Sequence, residues 1–186
     1  MRKKNDTLRS TLLDAARQIA DTEGLEAVNI RSLAGKAGVA AGTVYNYFSD
    51  KDEILLALTE EYWRQTLSRM PAVITADSFC GQLLEIFAFL KEQIEQSAGR
   101  LMNSLGNVET AGYARMASMQ SELETAIMKC LEQDGKVRGE IWNETFTKEQ
   151  FVRFLMMNML MLLKSEKPDI DFFFEIVRRT IYETKA

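Results

Sequence analysis

The chain has 186 residues, of which 46% are hydrophobic and 27% are charged, and its net charge is −4. It contains two cysteines and no histidine, so the commonest general base and the commonest nitrogen ligand of zinc are both missing. This composition argues against hydrolases, metalloenzymes and histidine-based relays. We therefore expect no catalytic residues, no metal site and no cofactor.

The distribution of charge and apolar residues indicates where the protein acts. No run of 18 or more apolar residues occurs, and the charged N-terminus lacks the apolar core of a signal peptide, so we expect a cytoplasmic protein that does not span a membrane. Residues 1–52 carry 8 basic and 7 acidic side chains (+1), whereas residues 53–186 carry 15 and 20 (−5). A basic tip on an acidic body suits contact with a polyanion, although a solvated tail would have the same composition.

Helical spacing of apolar residues begins near the N-terminus and covers almost the whole chain. We expect the first helix to end at Gly24 in a left-handed conformation. Asn29 is expected to cap a short second helix that stops at Gly38. A third short helix is predicted over about residues 40–48, and Ser49 is expected to cap a fourth helix that runs to about residue 70.

The remainder of the chain has the same helical character. Helices are predicted at about 77–98, 109–134, 147–166 and 169–184, with a glycine-containing loop before the last two. The predicted fold class is therefore all-α. We expect an N-terminal three-helix domain in residues 1–50, with two short helices at about 30–49, and a C-terminal helical domain in residues 51–186.

The second and third helices, joined by a tight turn at Gly38 and Val39, have the layout of a helix-turn-helix. A helical wheel directs Val44 and Phe48 into the core and leaves a polar set facing outward. Asparagine can pair with the edge of adenine, and tyrosine hydroxyls can donate to phosphates. A lysine at the start of the fourth helix would add a phosphate contact. The outward residues predicted to meet DNA are Arg31, Gly42, Thr43, Tyr45, Asn46, Tyr47 and Lys51.

The stretch from Gly24 to Leu55 resembles the N-terminal domain of the TetR (tetracycline repressor) family. The pattern AGV-x-x-GT-V-Y-x-YF-x-x-K carries the resemblance. It implies a homodimeric transcriptional regulator with a helix-turn-helix DNA-binding domain in residues 1–50 (the helix-turn-helix at about 30–49) and a ligand-binding and dimerisation domain in residues 51–186. The third helices of the dimer would read a palindromic operator on double-stranded DNA. Our first hypothesis is a repressor that releases DNA when a small effector binds. By family position, Ala41 joins the predicted DNA-facing residues. One departure is Ala40, where many members have a serine or threonine that caps the third helix. The matching residues are Gly24, Ile30, Leu33, Ala34, Ala37, Gly38, Val39, Gly42, Thr43, Val44, Tyr45, Tyr47, Phe48, Lys51 and Leu55.

The segment from Phe151 to Leu163 has eleven apolar residues among thirteen. A helix that is apolar on nearly all sides must be buried on nearly all sides, either between two subunits or as the central helix of a monomer. In the resembled family the last two helices pair with those of a second subunit as a four-helix bundle. The predicted dimer interface consists of Phe151, Phe154, Leu155, Met159, Leu162, Phe173, Ile176 and Val177.

Eight of the ten methionines lie beyond residue 100. Flexible thioethers suit cavities that accept irregular apolar molecules, although they also fill gaps in ordinary cores. Few charged groups lie on these faces, so we expect a small apolar or amphipathic effector. The predicted pocket is lined by Phe79, Leu83, Phe87, Met102, Leu105, Tyr113, Met116, Met119 and Leu123.

Two other classes of function compete with this interpretation. One is an all-helical enzyme or carrier in which Glu85, Glu92 or Glu109 does acid–base work, although no nucleophile or cofactor motif accompanies them. The other is a protein-binding adaptor that has lost DNA binding. Both alternatives predict DNA titrations that are insensitive to salt, whereas a repressor predicts affinity that falls steeply as salt rises.

Overall fold

The structure is a computed structural model that describes residues 6–95, 109–165 and 167–182, with the side chains of all of these except 109–118. The described residues form helices, turns and loops, and the only β-type pairing among them is an isolated bridge between Asn143 and Phe146. The predicted all-α class is confirmed. The helices are α1 (Asp6–Glu23), α2 (Ile30–Ala37), α3 (Ala41–Tyr45), α4 (Lys51–Arg69), α5 (Phe79–Gln93), α6 (Glu109–Gln133), α7 (Lys148–Lys164) and α8 (Ile170–Ile181).

Packing divides the chain into two compact units. Among the described residues, the first unit holds those up to Arg64 and the start of α6, and the second holds 65–95 and those from Ala117 onward. The domain boundary predicted between residues 50 and 51 falls at the start of α4, whereas the packing boundary lies later in that helix. The difference arises because Ile54, Leu55 and Leu58 of α4 belong to the core of the first unit. None of the described helices is long and apolar enough to cross a membrane.

The core of the first unit is built from the apolar stripes of its helices. Leu12, Ala16 and Ile19 of α1 are spaced by four and three residues and are almost completely buried. They form one cluster with Leu33 of α2 and Phe48, which follows α3. Full burial of an aliphatic or aromatic side chain contributes about 1.5–3 kcal/mol, so this cluster fixes the positions of the short helices.

Side chains and glycines define the ends of these helices. Asn29 caps α2 as predicted, because its side chain accepts from the amides of Arg31 (2.9 Å) and Ser32 (3.0 Å). The Ser32 hydroxyl accepts in return from the Asn29 amide at 3.0 Å, which completes a capping box. Gly38 ends α2 in the left-handed conformation (φ 67°, ψ 30°). Gly24 differs from the prediction: its φ is 89° but its ψ is 163°, so it is not a left-handed helix cap, and it precedes a short 3-10 helix (Leu25–Ala27).

The second unit places α5 in contact with α7 and α8. Phe79, Leu83 and Phe87 of α5 are buried in its core. As predicted, α7 follows Thr147, which forms a capping box with Gln150. The Asp169 side chain caps α8 by accepting from the amide of Phe172 at 3.0 Å, so both C-terminal helices begin where the sequence places them.

A buried carboxylate joins three parts of the second unit. Asp134, which follows α6, accepts hydrogen bonds from the Phe79 amide (2.8 Å), the Tyr182 hydroxyl (2.5 Å) and the Lys136 amide (2.9 Å). Burial alone would raise the pKa of Asp134, but these hydrogen bonds outweigh it and lower the pKa below 3.8. The carboxylate therefore stays ionised, and it fastens the end of α8 to the start of α5.

The two tryptophans lie one in each unit. Trp63, on α4, is buried, and its indole N–H has no hydrogen-bond partner in the described part of the chain. Trp142 lies in the loop before α7 and is half-buried. Its ring stacks on Phe146, with 5.4 Å between centroids, and also contacts Phe151 at the start of α7.

Candidate nucleic-acid interface

The first unit contains a helix-turn-helix made of α2 and α3. The turn is closed by hydrogen bonds from the Gly38 amide to the Gly35 carbonyl (3.3 Å) and from the Val39 amide to the Ala34 carbonyl (3.0 Å). Val39, in the turn between the two helices, packs against the core. The left-handed glycine and the adjacent apolar residue together set the direction in which α3 leaves the turn.

The third helix is shorter than predicted, because α3 ends at Tyr45 rather than at residue 48. Asn46 nevertheless keeps right-handed helical angles (φ −69°, ψ −17°). The amides of Tyr47 and Phe48 both donate to the carbonyl of Val44, at 2.9 Å and 3.0 Å. The chain therefore continues as a tight turn, and the side chains keep nearly the directions that a helical wheel assigns to them.

One side of this segment faces the core. Val44 and Phe48 are buried, which confirms their predicted place. The guanidinium carbon of Arg9 lies 6.0 Å from the centroid of the Phe48 ring, at the distance of a weak cation–π contact. These contacts anchor α3 to α1 within the same unit.

The opposite side is open to solvent. Gly42, Tyr45 and Asn46 are exposed, and 59% of the Tyr45 surface is accessible. A methyl group at Gly42 would meet no atom of the described chain within 4 Å, so internal packing does not require glycine there. An exposed amide, a phenol and a bare stretch of backbone thus lie side by side on one short element.

The flanking residues have a divided role. Ala41 and Tyr47 pack against the core of the first unit while remaining partly accessible, and Thr43 is half-buried. Part of the Tyr47 ring therefore serves the fold, and only its accessible part is open to a ligand. Arg31, in the first turn of α2, has an exposed side chain.

The start of α4 is capped by a different residue from the one predicted. Asp50 is the N-terminal cap: its carboxylate accepts from the Glu53 amide at 2.8 Å, while Ser49 lies one residue outside. The Glu53 carboxylate accepts from the Ser49 amide at 2.6 Å, and the Ser49 hydroxyl donates to Asp50 at 2.8 Å. The hydrogen bonds from Glu53 and Ser49 lower the pKa of Asp50. The prediction that Ser49 caps the fourth helix is therefore wrong, because the acidic residue that follows the serine caps the helix more directly.

Lys51 is paired within the first unit. Its ammonium nitrogen lies 2.8 Å from a carboxylate oxygen of Glu26 and 3.4 Å from the Glu26 carbonyl oxygen. The hydrogen bond and charge of Lys51 lower the pKa of Glu26. Sequence reasoning missed Glu26, because the two residues are 25 positions apart and no local pattern links them.

The residues predicted to line an effector pocket are only partly within the described region. Phe79, Leu83 and Phe87 on α5 are buried, and so are Met119 and Leu123 on α6. Met102 and Leu105 lie outside the described residues, and the side chains of Tyr113 and Met116 are also outside them. The assignment of a pocket to this set stays a prediction.

The helices predicted to form a dimer interface turn their most buried residues inward. Phe151, Leu155, Met159, Phe173 and Val177 are at most 8% exposed within their own chain, Leu162 is half-buried, and only Phe154 and Ile176 of the predicted set are exposed. A side chain with almost no accessible surface cannot contact a second subunit. The surface open to a partner, which we name the exposed apolar face, comprises Phe154, Met157 and Met161 on α7 and Phe172 and Ile176 on α8.

The Glu85 carboxylate and the Cys80 thiol, both outside the helix-turn-helix, have structural rather than chemical roles. Glu85 accepts from the Thr75 amide (2.7 Å), the Thr75 hydroxyl (2.8 Å) and the Ala76 amide (3.0 Å), and these bonds lower its pKa. It therefore holds the loop before α5. Burial raises the pKa of Cys80 to about 11, so its thiol is protonated and unreactive at neutral pH.

This geometry defines a class of protein: an all-α protein whose first unit is a helix-turn-helix domain with an exposed polar third helix. Residues 12–58 match the sequence profile described as "Bacterial regulatory proteins, tetR family". This match covers the helix-turn-helix and the start of α4, about a quarter of the chain, and over these residues the chain is similar to the tetR family.

Two curated relatives match part of the chain, and a solved structure has a similar fold. The chain is 37% identical over 59 residues to the fatty acid metabolism regulator protein of Bacillus subtilis, covering 32% of this chain and 30% of the relative. It is 46% identical over 57 residues to the transcriptional repressor KstR of Mycobacterium tuberculosis, covering 30% and 26%. The chain thus spans about a third or less of the length of these two relatives. The multidrug binding protein EbrR has a similar fold (TM-score 0.56, 18% identity, 96% of this chain and 97% of that one).

Proposed function

We propose that this protein is a transcriptional repressor that acts as a homodimer in the cytoplasm. The two third helices of the dimer read a palindromic operator, and a small apolar or amphipathic effector releases the protein from DNA. The observation that carries the proposal is the exposed polar face of α3, formed by Gly42, Tyr45 and Asn46 within a helix-turn-helix. Relatives that are named as a regulator and a repressor, each aligned with about a third of this chain, support it.

The contact with DNA follows from the chemistry of that face. The Asn46 amide can donate to and accept from adenine in the major groove, and the half-buried Thr43 can contact a thymine methyl group through its own methyl group. Tyr45 and Tyr47 carry hydroxyls that suit phosphates, as does the Arg31 guanidinium. Because Gly42 is exposed and has no side chain, the backbone of α3 can approach the groove closely. Ala41 offers only a methyl group, so base readout falls mainly on Thr43 and Asn46.

Dimerisation is supported by the exposed apolar face of the second unit. Residues 154, 157 and 161 are spaced by three and four positions on α7, and 172 and 176 by four on α8, so each helix presents one apolar stripe to solvent. Exposed apolar patches of this kind mark association surfaces. A two-fold dimer formed through this face would contain two DNA-binding units, one for each half-site of a palindrome.

The nature of the effector is argued from this chain alone. The fatty acid metabolism regulator and KstR align with only 59 and 57 residues, about a third of this chain, so their names say nothing about this protein's effector. Phe79, Leu83, Phe87, Met119 and Leu123 offer buried apolar and thioether surface. An effector bound there would act by favouring a conformation in which the two third helices no longer fit both half-sites.

DNA binding is tested with duplexes from the intergenic region next to the gene. We expect affinity to fall steeply with rising salt, and the double variant Asn46→Ala with Tyr47→Phe to lose about 1–3 kcal/mol per half-site. Tyr47→Phe removes only the hydroxyl and leaves the ring that packs on the core. The matched control is Gln18→Ala, which removes an exposed amide from α1 of the same unit.

Two outcomes would contradict the proposal. If the double variant binds the duplex as tightly as the unchanged protein, the assignment of the exposed polar face of α3 as the DNA-reading face is wrong. If no variant shows salt-dependent binding to any duplex, repression through DNA is wrong. For the effector, a ligand screen that returns only strongly anionic compounds would contradict the predicted apolar class.

A further inference from the structure

Carboxylates surround the one lysine at the start of α4. Lys51 is held by Glu26 from the turn after α1, at 2.8 Å, and only a third of its side chain is accessible. The first turn of α4 also carries Asp52 and Glu53, and Asp50 caps it. The start of α4 is therefore already surrounded by carboxylates, which take the place that a DNA phosphate would occupy beside Lys51.

The backbone groups at this corner are also engaged. The Glu53 amide donates to Asp50, and the Ser49 amide donates to Glu53. A phosphate that approaches Lys51 consequently finds a cation with a partner and a helix terminus with a carboxylate cap. To contact the phosphate, the lysine must share or leave Glu26, and this costs the complex the energy of that ion pair.

We propose that Glu26 is a specificity-determining residue that withholds Lys51 from DNA phosphates unless the third helix is in register with its operator. This inference rests on the proposed function as a DNA-binding repressor. Non-specific binding consists almost entirely of phosphate contacts. A lysine paired with Glu26 therefore weakens non-specific binding, and no base contact compensates for the loss. In the specific complex, base contacts add energy that offsets the cost of opening the pair.

The ion pair between Glu26 and Lys51 could instead have a purely structural role, and the two roles predict different effects of removing Glu26. If the pair between Glu26 and Lys51 only ties the turn after α1 to α4, loss of Glu26 would lower stability and would not raise DNA affinity. The Glu26 side chain is 92% exposed, so a brace at this place contributes little to the fold. The two roles therefore differ in the sign of their effect on binding.

The salt dependence of binding distinguishes them further. In the unchanged protein, a contact between Lys51 and phosphate releases a DNA counterion, but Glu26 then attracts a cation in its place. The net contribution of this contact to the salt slope is small. Without the carboxylate the release is not offset, so the slope steepens by up to about 0.9 per DNA-binding domain.

The experiment compares two duplexes of equal length, one from the adjacent intergenic region and one of random sequence, over a series of salt concentrations. The variants are Glu26→Gln, Glu26→Ala, Lys51→Gln and the double variant Glu26→Gln with Lys51→Gln. We expect both Glu26 variants to bind the random duplex about two- to five-fold more tightly per domain, with a steeper salt slope. The ratio of specific to non-specific affinity should fall.

The controls separate pairing with Lys51 from loss of charge alone. Asp21→Asn removes an exposed carboxylate from α1 in the same unit. Its affinity for both duplexes should equal that of the unchanged protein within experimental error. In the Lys51→Gln background, Glu26→Gln should have no further effect. Equal gains from Asp21→Asn, or an undiminished gain without Lys51, would overturn the inference.

The failure of this inference differs from failure of the proposed function. If the reading-face variants lose binding while both Glu26 variants keep the original affinity and salt slope, Glu26 has no role in specificity and the function stands. If no protein binds either duplex in a salt-dependent way, both proposals are wrong. Thermal unfolding of each variant shows that the compared proteins are folded.

Discussion

The two units differ in how completely each buries its own apolar residues. Among the described residues, the first unit leaves one large apolar side chain well exposed, Tyr45, and this residue lies on the predicted reading face. The second unit leaves the exposed apolar face uncovered, with Phe172 65% and Met161 73% accessible. The first unit leaves little apolar surface exposed, whereas the second leaves an apolar patch of the kind that marks association surfaces in other proteins.

The difference has a basis in composition. In the first unit, apolar stripes alternate with polar residues at helical spacing, so each helix has one inner face. In α7, apolar residues occupy nearly every side, and a single chain can bury only some of them. The comparison therefore teaches that the proposed association surface follows from apolar excess in α7 and α8 rather than from any single motif.

The largest effect is expected from substitutions on the exposed apolar face, which test whether the contrast between the two units reflects association. Met161→Asp or Phe172→Asp should convert a dimer to a monomer, because each places a carboxylate on the apolar contact of both subunits. Loss of about 2 kcal/mol per copy, counted twice across a two-fold interface, weakens dimerisation roughly a thousand-fold. Sedimentation equilibrium or light scattering measures the change.

The matched control for that experiment is Leu84→Asp. Leu84 is also a large exposed apolar residue of the second unit, but it lies on α5, outside the exposed apolar face. It should leave the association state unchanged. A monomeric unchanged protein, or an equal loss of association with Leu84→Asp, would show that the contrast between the units has another cause.

A smaller effect, on stability, is expected from substitutions at Asp134, which links α8 to α5 in the second unit. Asp134→Asn replaces an acceptor of three hydrogen bonds by a group that cannot accept them all, so we expect the free energy of unfolding to fall by about 2–3 kcal/mol. Tyr182→Phe removes one of these bonds and should cost about 1.5 kcal/mol. Chemical denaturation followed by circular dichroism checks both values. Equal stability of all three proteins would mean that Asp134 does not fasten α8.

The same carboxylate predicts a dependence on pH. Because the pKa of Asp134 is lowered on folding, its contribution is fully present above about pH 4 and is lost as pH falls through the folded-state pKa. The stability difference between the unchanged protein and Asp134→Asn should thus be constant near neutrality and shrink in acid. A difference that grows as the pH falls would contradict the lowered pKa.

The smallest effect is expected in the first unit, at the start of α3. Ala40 has extended angles that suit a cap but makes no side-chain hydrogen bond to the helix. Ala40→Ser should stabilise the protein by about 0.5–1 kcal/mol. A thermal scan measures the gain, and Ala40→Val, which has no hydroxyl, serves as the control. An equal gain with valine would show that capping is not the cause.

Local rules predicted much of the first unit because its signals are short in range. Asn29 and Gly38 set the ends of α2 through their own side chain or backbone, and Val44 and Phe48 follow helical spacing. The errors were also local. The end of α3 depends on the hydrogen bonds after Tyr45, and Asp50 competes with its neighbour Ser49 for the cap of α4.

Long-range contacts were beyond the reach of the sequence. Nothing near Lys51 points to Glu26, and nothing near Asp134 points to Tyr182, because folding brings distant segments together. The inward face of α7 was equally hidden, since apolar residues on all sides give no periodic signal. The DNA-reading residues and the effector pocket stay predictions, because they depend on molecules that the chain must meet.

The placement of the two tryptophans makes the protein its own spectroscopic probe. Trp63 is buried in the first unit and should emit at short wavelength, whereas Trp142 in the second unit is half-buried and stacked on Phe146. Replacing either one by phenylalanine leaves a single fluorophore that reports on one unit. The melting of the two units can then be followed separately in one intact chain.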